Sequence, residues 1–149
     1  MKKNFRKTLL LVTVFMVLLA SFSITFALEK PIEQIGEPIT PCWVGLCTIS
    51  NSFVISSSGI ANPIIRGSTY PGAVDYVNVK VYLKRSNGSG WTTIKTWDKN
   101  IPISLDYFIF SETYAVSKNY TYKYTATVKS YKNNVLLDTV TFDSKLVNY

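Results

Sequence analysis

Residues 75–85 read DYVNVKVYLKR, and the alternation inside them decides the fold. Val77, Val79, Val81 and Leu83 fall on one side of an extended chain, and Tyr76, Asn78, Lys80, Tyr82 and Lys84 fall on the other. Successive side chains of a strand point to opposite faces, so this pattern describes a strand with one side buried and one in water. Residues 86–90 (SNGSG) have the chemistry of a hairpin turn, and residues 91–97 (WTTIKTW) are expected to return antiparallel beside the strand. Trp91, Ile94 and Trp97 recur every third residue, which does not fit a period of two, so a bulge or strong local twist is expected there.

The same reading extends outward. Residues 48–57 (TISNSFVISS) and 60–69 (IANPIIRGST) predict two strands, with Pro63 marking an edge or a bulge in the second. Residues 104–116 (SLDYFIFSETYAV) predict a strand or a strand with a bend. Residues 120–131 (YTYKYTATVKSY) alternate Tyr120, Tyr122, Tyr124, Ala126 and Val128 against Thr and Lys, and residues 135–146 (VLLDTVTFDSKL) close the domain after a tight KNN turn. Seven strands without helical periodicity leave sheet on sheet as the layer choice. The expected class is therefore all-β, a seven-stranded antiparallel sandwich.

The chain opens with MKKNFRK, four positive charges and no acid, followed by a 20-residue run from Thr8 to Ala27 that is apolar apart from hydroxyl residues. Thr25-Phe26-Ala27 then offers small residues at a cut point. That order describes a secretory signal peptide over residues 1–27. The alternative is an uncleaved anchor, since about 20 apolar residues span a bilayer. Export to the cell exterior is expected in the first case, and attachment to the membrane through residues 8–27 in the second. Residues 28–41 (LEKPIEQIGEPITP) hold three prolines and three glutamates and read as a tether. The sandwich domain is expected over residues 42–149.

Removing the leader also changes the electrostatic reading. Taking four positive charges from the formal +7 leaves +3, spread over scattered lysines. This argues against nucleic acid as a partner and for a solvated surface. Contact with a membrane is expected only through an uncleaved leader.

Cys42 and Cys47, in the stretch PCWVGLC, are the only cysteines, and the chain has no histidine. A metal site would need at least two further ligands. A thioredoxin-like centre would want two residues between the cysteines, where this chain has four. A local disulfide is the expectation outside the cell, contributing about 2 kcal/mol for so short a loop. Free thiols are the alternative. Trp43, inside the clip, reads either as an exposed aromatic anchor for a partner or as a cover for an open end of the core.

Without histidine, Ser-His-Asp and Cys-His catalysis are ruled out. The nine acids lie mostly at strand ends and in the tether, and nothing in their spacing selects a catalytic pair. No enzyme activity and no cofactor are expected. A binding module is the leading class, with Tyr76, Lys80, Tyr82 and Lys84 on one outward face as candidate contacts for an unknown protein or envelope polymer. The competing class is a structural subunit or an immunity-like antagonist acting through a sheet edge, for which residues 60–68 are the candidate. Two glycosylation-type triplets, at Asn87 and Asn119, read as turn residues.

The run NGSGWTTIKTW, the later SKNYTYKYTATV and the YKNN turn resemble a group of small exported all-β proteins of Gram-positive, spore-forming bacteria. The resemblance covers roughly residues 48–149 and rests on turn motifs. It implies an immunoglobulin-like sandwich with no established activity. It also places Tyr122 like the corner tyrosine of such sandwiches. The proline-rich lead and the paired cysteines have no counterpart in it.

Overall fold

A computed structural model describes residues 43–149, which form nine strands and no helix. The leader, the tether and Cys42 lie outside the described residues. The strands are β1 (Leu46–Ile55), β2 (Ile60–Thr69), β3 (Tyr76–Ser86), β4 (Trp91–Pro102), β5 (Tyr107–Ser111), β6 (Tyr114–Ala115), β7 (Thr121–Lys132), β8 (Val135–Asp143) and β9 (Val147–Asn148). They make two antiparallel sheets, one ordered β1-β2-β5 with β6 also on β2, the other ordered β4-β3-β7-β8 with β9 also on β7.

One core fills the space between the sheets. Val77, Val79, Val81 and Leu83 of β3 and Tyr122, Tyr124, Ala126 and Val128 of β7 are fully buried. Opposite them stand Ile49 and Phe53 of β1, Ile65 of β2, and Phe108 and Phe110 of β5. Each aliphatic side chain so buried contributes about 1.5–3 kcal/mol. Phe53 meets the Tyr124 ring edge to face at 5.5 Å, and the Tyr124 hydroxyl donates to the Ile64 carbonyl at 3.3 Å. Burial pushes that hydroxyl's pKa upward. Gly67 permits the close approach of the first sheet's strands, because a Cβ there would overlap the Phe108 ring and the Thr48 carbonyl.

The nine strands differ from the expected seven because the backbone breaks at two places. Pro63 has no N–H to offer the ladder, and β2 loses its partner on that side there. Pairing with β5 ends at Ile64–Ser111 and resumes with β6 at Ala61–Tyr114. The Asn62 side-chain amide fills the gap by donating to the Glu112 carbonyl at 2.8 Å. The last expected strand stops at Asp143. Ser144 then exchanges hydrogen bonds with Tyr124, and β9 resumes on the same strand.

The bulge expected in the return strand is present. Leu83 pairs with Lys95 and Lys84 with Thr93, so Ile94 is the extra residue. This single step puts Trp97 in the core and Trp91 on the opposite face. Two expectations are corrected. Pro63 does not mark an edge, and residues 60–68 are not a free edge for pairing with another chain, because β2 runs down the middle of its sheet. Within the described residues the outer strands are β1 and β5 with β6 in one sheet, and β4 and β8 with β9 in the other.

Candidate functional site

Alternation along β3 gathers Tyr76, Lys80, Tyr82 and Lys84 on the outward face of the five-stranded sheet, all half-buried. Strand β7 runs beside them with Lys123, Thr125, Thr127, Lys129 and Tyr131 on the same face, and β4 adds Trp91, Thr96, Asp98 and Asn100. The result is a surface of ring faces, ammonium groups and hydroxyls.

Aromatic rings mark both ends of this face. Tyr76 and Tyr131 stack at 4.9 Å with ring planes 8° apart. At the other end Lys123 lies 4.9 Å from the Trp91 ring centroid. Between them Lys80 bridges two groups, an ion pair with Asp98 at 3.2 Å and the Tyr82 ring at 5.9 Å. The hydrogen bond to Asp98 holds the Lys80 ammonium above its ordinary pKa, with the Tyr82 hydroxyl adding to it. Asp98 is held low, first by the Asn78 amide at 2.8 Å and then by Lys80.

Across the sheet, Lys123 binds Asp143 at 2.6 Å and Thr125 donates to the same carboxylate at 2.6 Å. Burial raises the Asp143 carboxyl, but these two donors outweigh it and the net shift is downward. Both carboxyls of the face are therefore fixed as anions near neutral pH. Lys84 stands directly opposite Lys123. Like charges in that cross-strand relation are destabilising. The chemistry on offer is stacking against flat rings and attraction of negative charge.

Trp43 belongs elsewhere. It is half-buried and packs against the core, away from the outward face. Cys47 is half-buried at the start of β1 and unbridged among the described residues. Cys42 is its expected partner, so the clip itself lies outside the described residues. No group of three acids or cysteines that could hold a metal ion occurs among the described residues.

Reading β3 alone missed Trp91, Lys123, Asp143 and Tyr131. Alternation in residues 120–131 already sets Lys123 and Tyr131 opposite the buried tyrosines, so that signal was in the sequence. Trp91 needed the Ile94 bulge. Asp143 needed the pairing of β8 with β7.

No known protein-family model matches this chain, and no curated protein matches it.

Proposed function

We propose that this chain is an exported, non-catalytic binding protein of immunoglobulin-like type that acts at the cell envelope or outside the cell. The signal-peptide pattern of residues 1–27 supports export. The strand orders β1-β2-β5 and β4-β3-β7-β8 support the immunoglobulin-like type, as does the Tyr122 hydroxyl donating to the Ser117 carbonyl at 2.7 Å ahead of β7.

The observation that carries the binding role is the outward face itself. Tyr82 and Lys80 lie between two aromatic ends, and Lys84 stands opposite Lys123, which is paired with Asp143. Such a face suits an extended polymer that offers both flat rings and negative charge. Tyr82 and Lys84 are the residues to change, because Tyr76 is stacked on Tyr131 and its removal disturbs the face as well as the site. Replacing both by serine is expected to leave melting unchanged while binding to isolated envelope material falls about tenfold. Unchanged binding would remove the face from consideration. Export is read separately, by amino-terminal sequencing of protein from the culture medium, which should begin at Leu28; recovery only from membranes with the leader intact would overturn it.

A further inference from the structure

Nine asparagines lie among the described residues, and only Asn87 precedes a glycine. An asparagine side chain is open to attack by the backbone nitrogen of the next residue, one reason asparagine counts as thermolabile. The attack needs a nitrogen not committed elsewhere, an approach free of side chains and a backbone able to turn. The fold withholds these at the other positions. Asn51, Asn62, Asn78 and Asn100 sit inside β1, β2, β3 and β4, where the ladder fixes the extended backbone. Asn119 and Asn148 precede Tyr120 and Tyr149, whose N–H groups donate to each other's carbonyls at 3.1 Å and 3.0 Å. Asn133 and Asn134 precede Asn134 and Val135, whose side chains crowd the nitrogen.

At Asn87 all three conditions are met. Residues 87–90 are exposed and form the turn between β3 and β4, closed by the Asn87 N–H donating to the Gly90 carbonyl at 3.0 Å. A Cβ on Gly88 would meet nothing within 4 Å, and its φ of 87° is one that glycine adopts freely. Among the described residues the Gly88 N–H donates only to the Ser86 hydroxyl, at a long 3.4 Å. The side chain it would attack is polarised. The Ser89 N–H and the Ser89 hydroxyl both donate to Asn87 Oδ1, at 3.2 Å and 3.3 Å, and draw electrons away from Cγ. Asn87 Nδ2 donates to the Thr92 hydroxyl at 3.3 Å, so the leaving nitrogen lies against a group able to relay a proton.

We propose that Asn87 is a self-modification site, deamidating spontaneously to isoaspartate and aspartate with water as the only co-reactant. The lone pair of the Gly88 nitrogen attacks Asn87 Cγ and forms an N–C bond. The Cγ–Nδ2 bond breaks, and Nδ2 leaves as ammonia carrying the proton that the Gly88 nitrogen gives up. Water then opens the cyclic imide. Opening at the backbone carbonyl leaves the chain running through the side-chain carbon, as isoaspartate, and opening at Cγ gives aspartate. Either product places a negative charge on the hairpin that joins Lys84 to Trp91.

Freshly purified protein is held in mildly alkaline buffer, folded and in urea, and peptide mapping by mass spectrometry follows every asparagine while an isoaspartyl methyltransferase reports the product. In the folded protein Asn87 is expected to convert at least about tenfold faster than Asn119 or Asn133, with isoaspartate present and the rate rising with pH. Gly88→Ala should slow the conversion about tenfold, because a methyl group obstructs the nitrogen and alanine resists the positive φ. That strain also burdens the turn, so Asn87→Gln is measured beside it. Glutamine sets its amide one carbon further from the Gly88 nitrogen and should yield no product, while an unchanged melting temperature shows the turn intact. Conversion of Asn87 seen only in urea would mean that the fold protects it and would overturn the proposal. So would a rate no higher than that of Asn119, or a product wholly aspartate, which direct attack by water gives.

Discussion

The Asp138 carboxylate accepts the Gly45 N–H at 2.9 Å across 93 positions of the chain. The same carboxylate takes the Val44 N–H at 2.8 Å, the Leu46 N–H at 3.0 Å and the Ser130 hydroxyl at 2.8 Å. Three consecutive backbone donors converge on one buried anion, which fixes the chain's path into β1. Gly45 admits this approach, because a Cβ there would press on Val74 at 2.7 Å and Leu137 at 3.0 Å. Asp138→Ala is expected to destabilise the domain by about 3 kcal/mol, since buried N–H groups lose a charged partner. Urea unfolding measures this, and a cost under about 1 kcal/mol would show that water replaces the carboxylate.

Acid sensitivity follows from the same group. Burial raises the Asp138 carboxyl, but the backbone donors and Ser130 outweigh it and hold it below its ordinary value. Asp75 is also held low, first by Lys132, and Asp98 first by Asn78. A carboxyl whose folded pKa is depressed stabilises the fold above its unfolded value, and that contribution disappears as pH falls through the folded one. Stability should therefore be level near neutrality and decline below about pH 4. The decline should be shallower in Asp138→Asn, and parallel pH profiles for the two proteins would refute the assignment.

Tyr122 supplies the next expectation. Its hydroxyl, raised by burial, donates to the Ser117 carbonyl at 2.7 Å. Tyr122→Phe keeps the ring and deletes only this bond, so a loss of about 1 kcal/mol with an unchanged denaturant slope is expected. A changed slope would mean that the connection before β7 has rearranged.

The two faces of β3 should respond oppositely. Val81 is fully buried, and Val81→Ser removes core contacts and places a hydroxyl inside, at a cost of about 3 kcal/mol. Tyr82→Ser, one position away, should cost under about 1 kcal/mol. Thermal melting of the two variants checks this, and equal losses would show that the outward face packs like a core.

Leu105→Asn should stabilise the domain by about 1 kcal/mol, because its φ of 52° suits asparagine better than leucine. Differential scanning calorimetry reads this directly. A lower melting temperature would show that Leu105 makes contacts within the fold.

Local alternation along residues 75–85 and 120–131 was enough to assign the buried faces of β3 and β7, because a period of two is a property of the extended backbone itself. The tight turns after Ser86 and Lys132 were legible for a similar reason, since asparagine and glycine adopt positive φ without help from elsewhere. Sheet order was not legible. Pro63 suggested an edge or a bulge, and β2 lies between β1 and β5 with its pairing interrupted at Pro63, because pairing joins segments far apart in sequence and depends on which apolar faces close on one another. Register likewise decided that Trp91 shares a face with Tyr82 while Trp97 enters the core, through one extra residue at Ile94. Asp138 looked like one more solvated acid near a strand end. Only the folded chain brings three backbone N–H groups, more than ninety positions away, to its carboxylate, because such donors come from backbone geometry and leave no mark in the side-chain pattern.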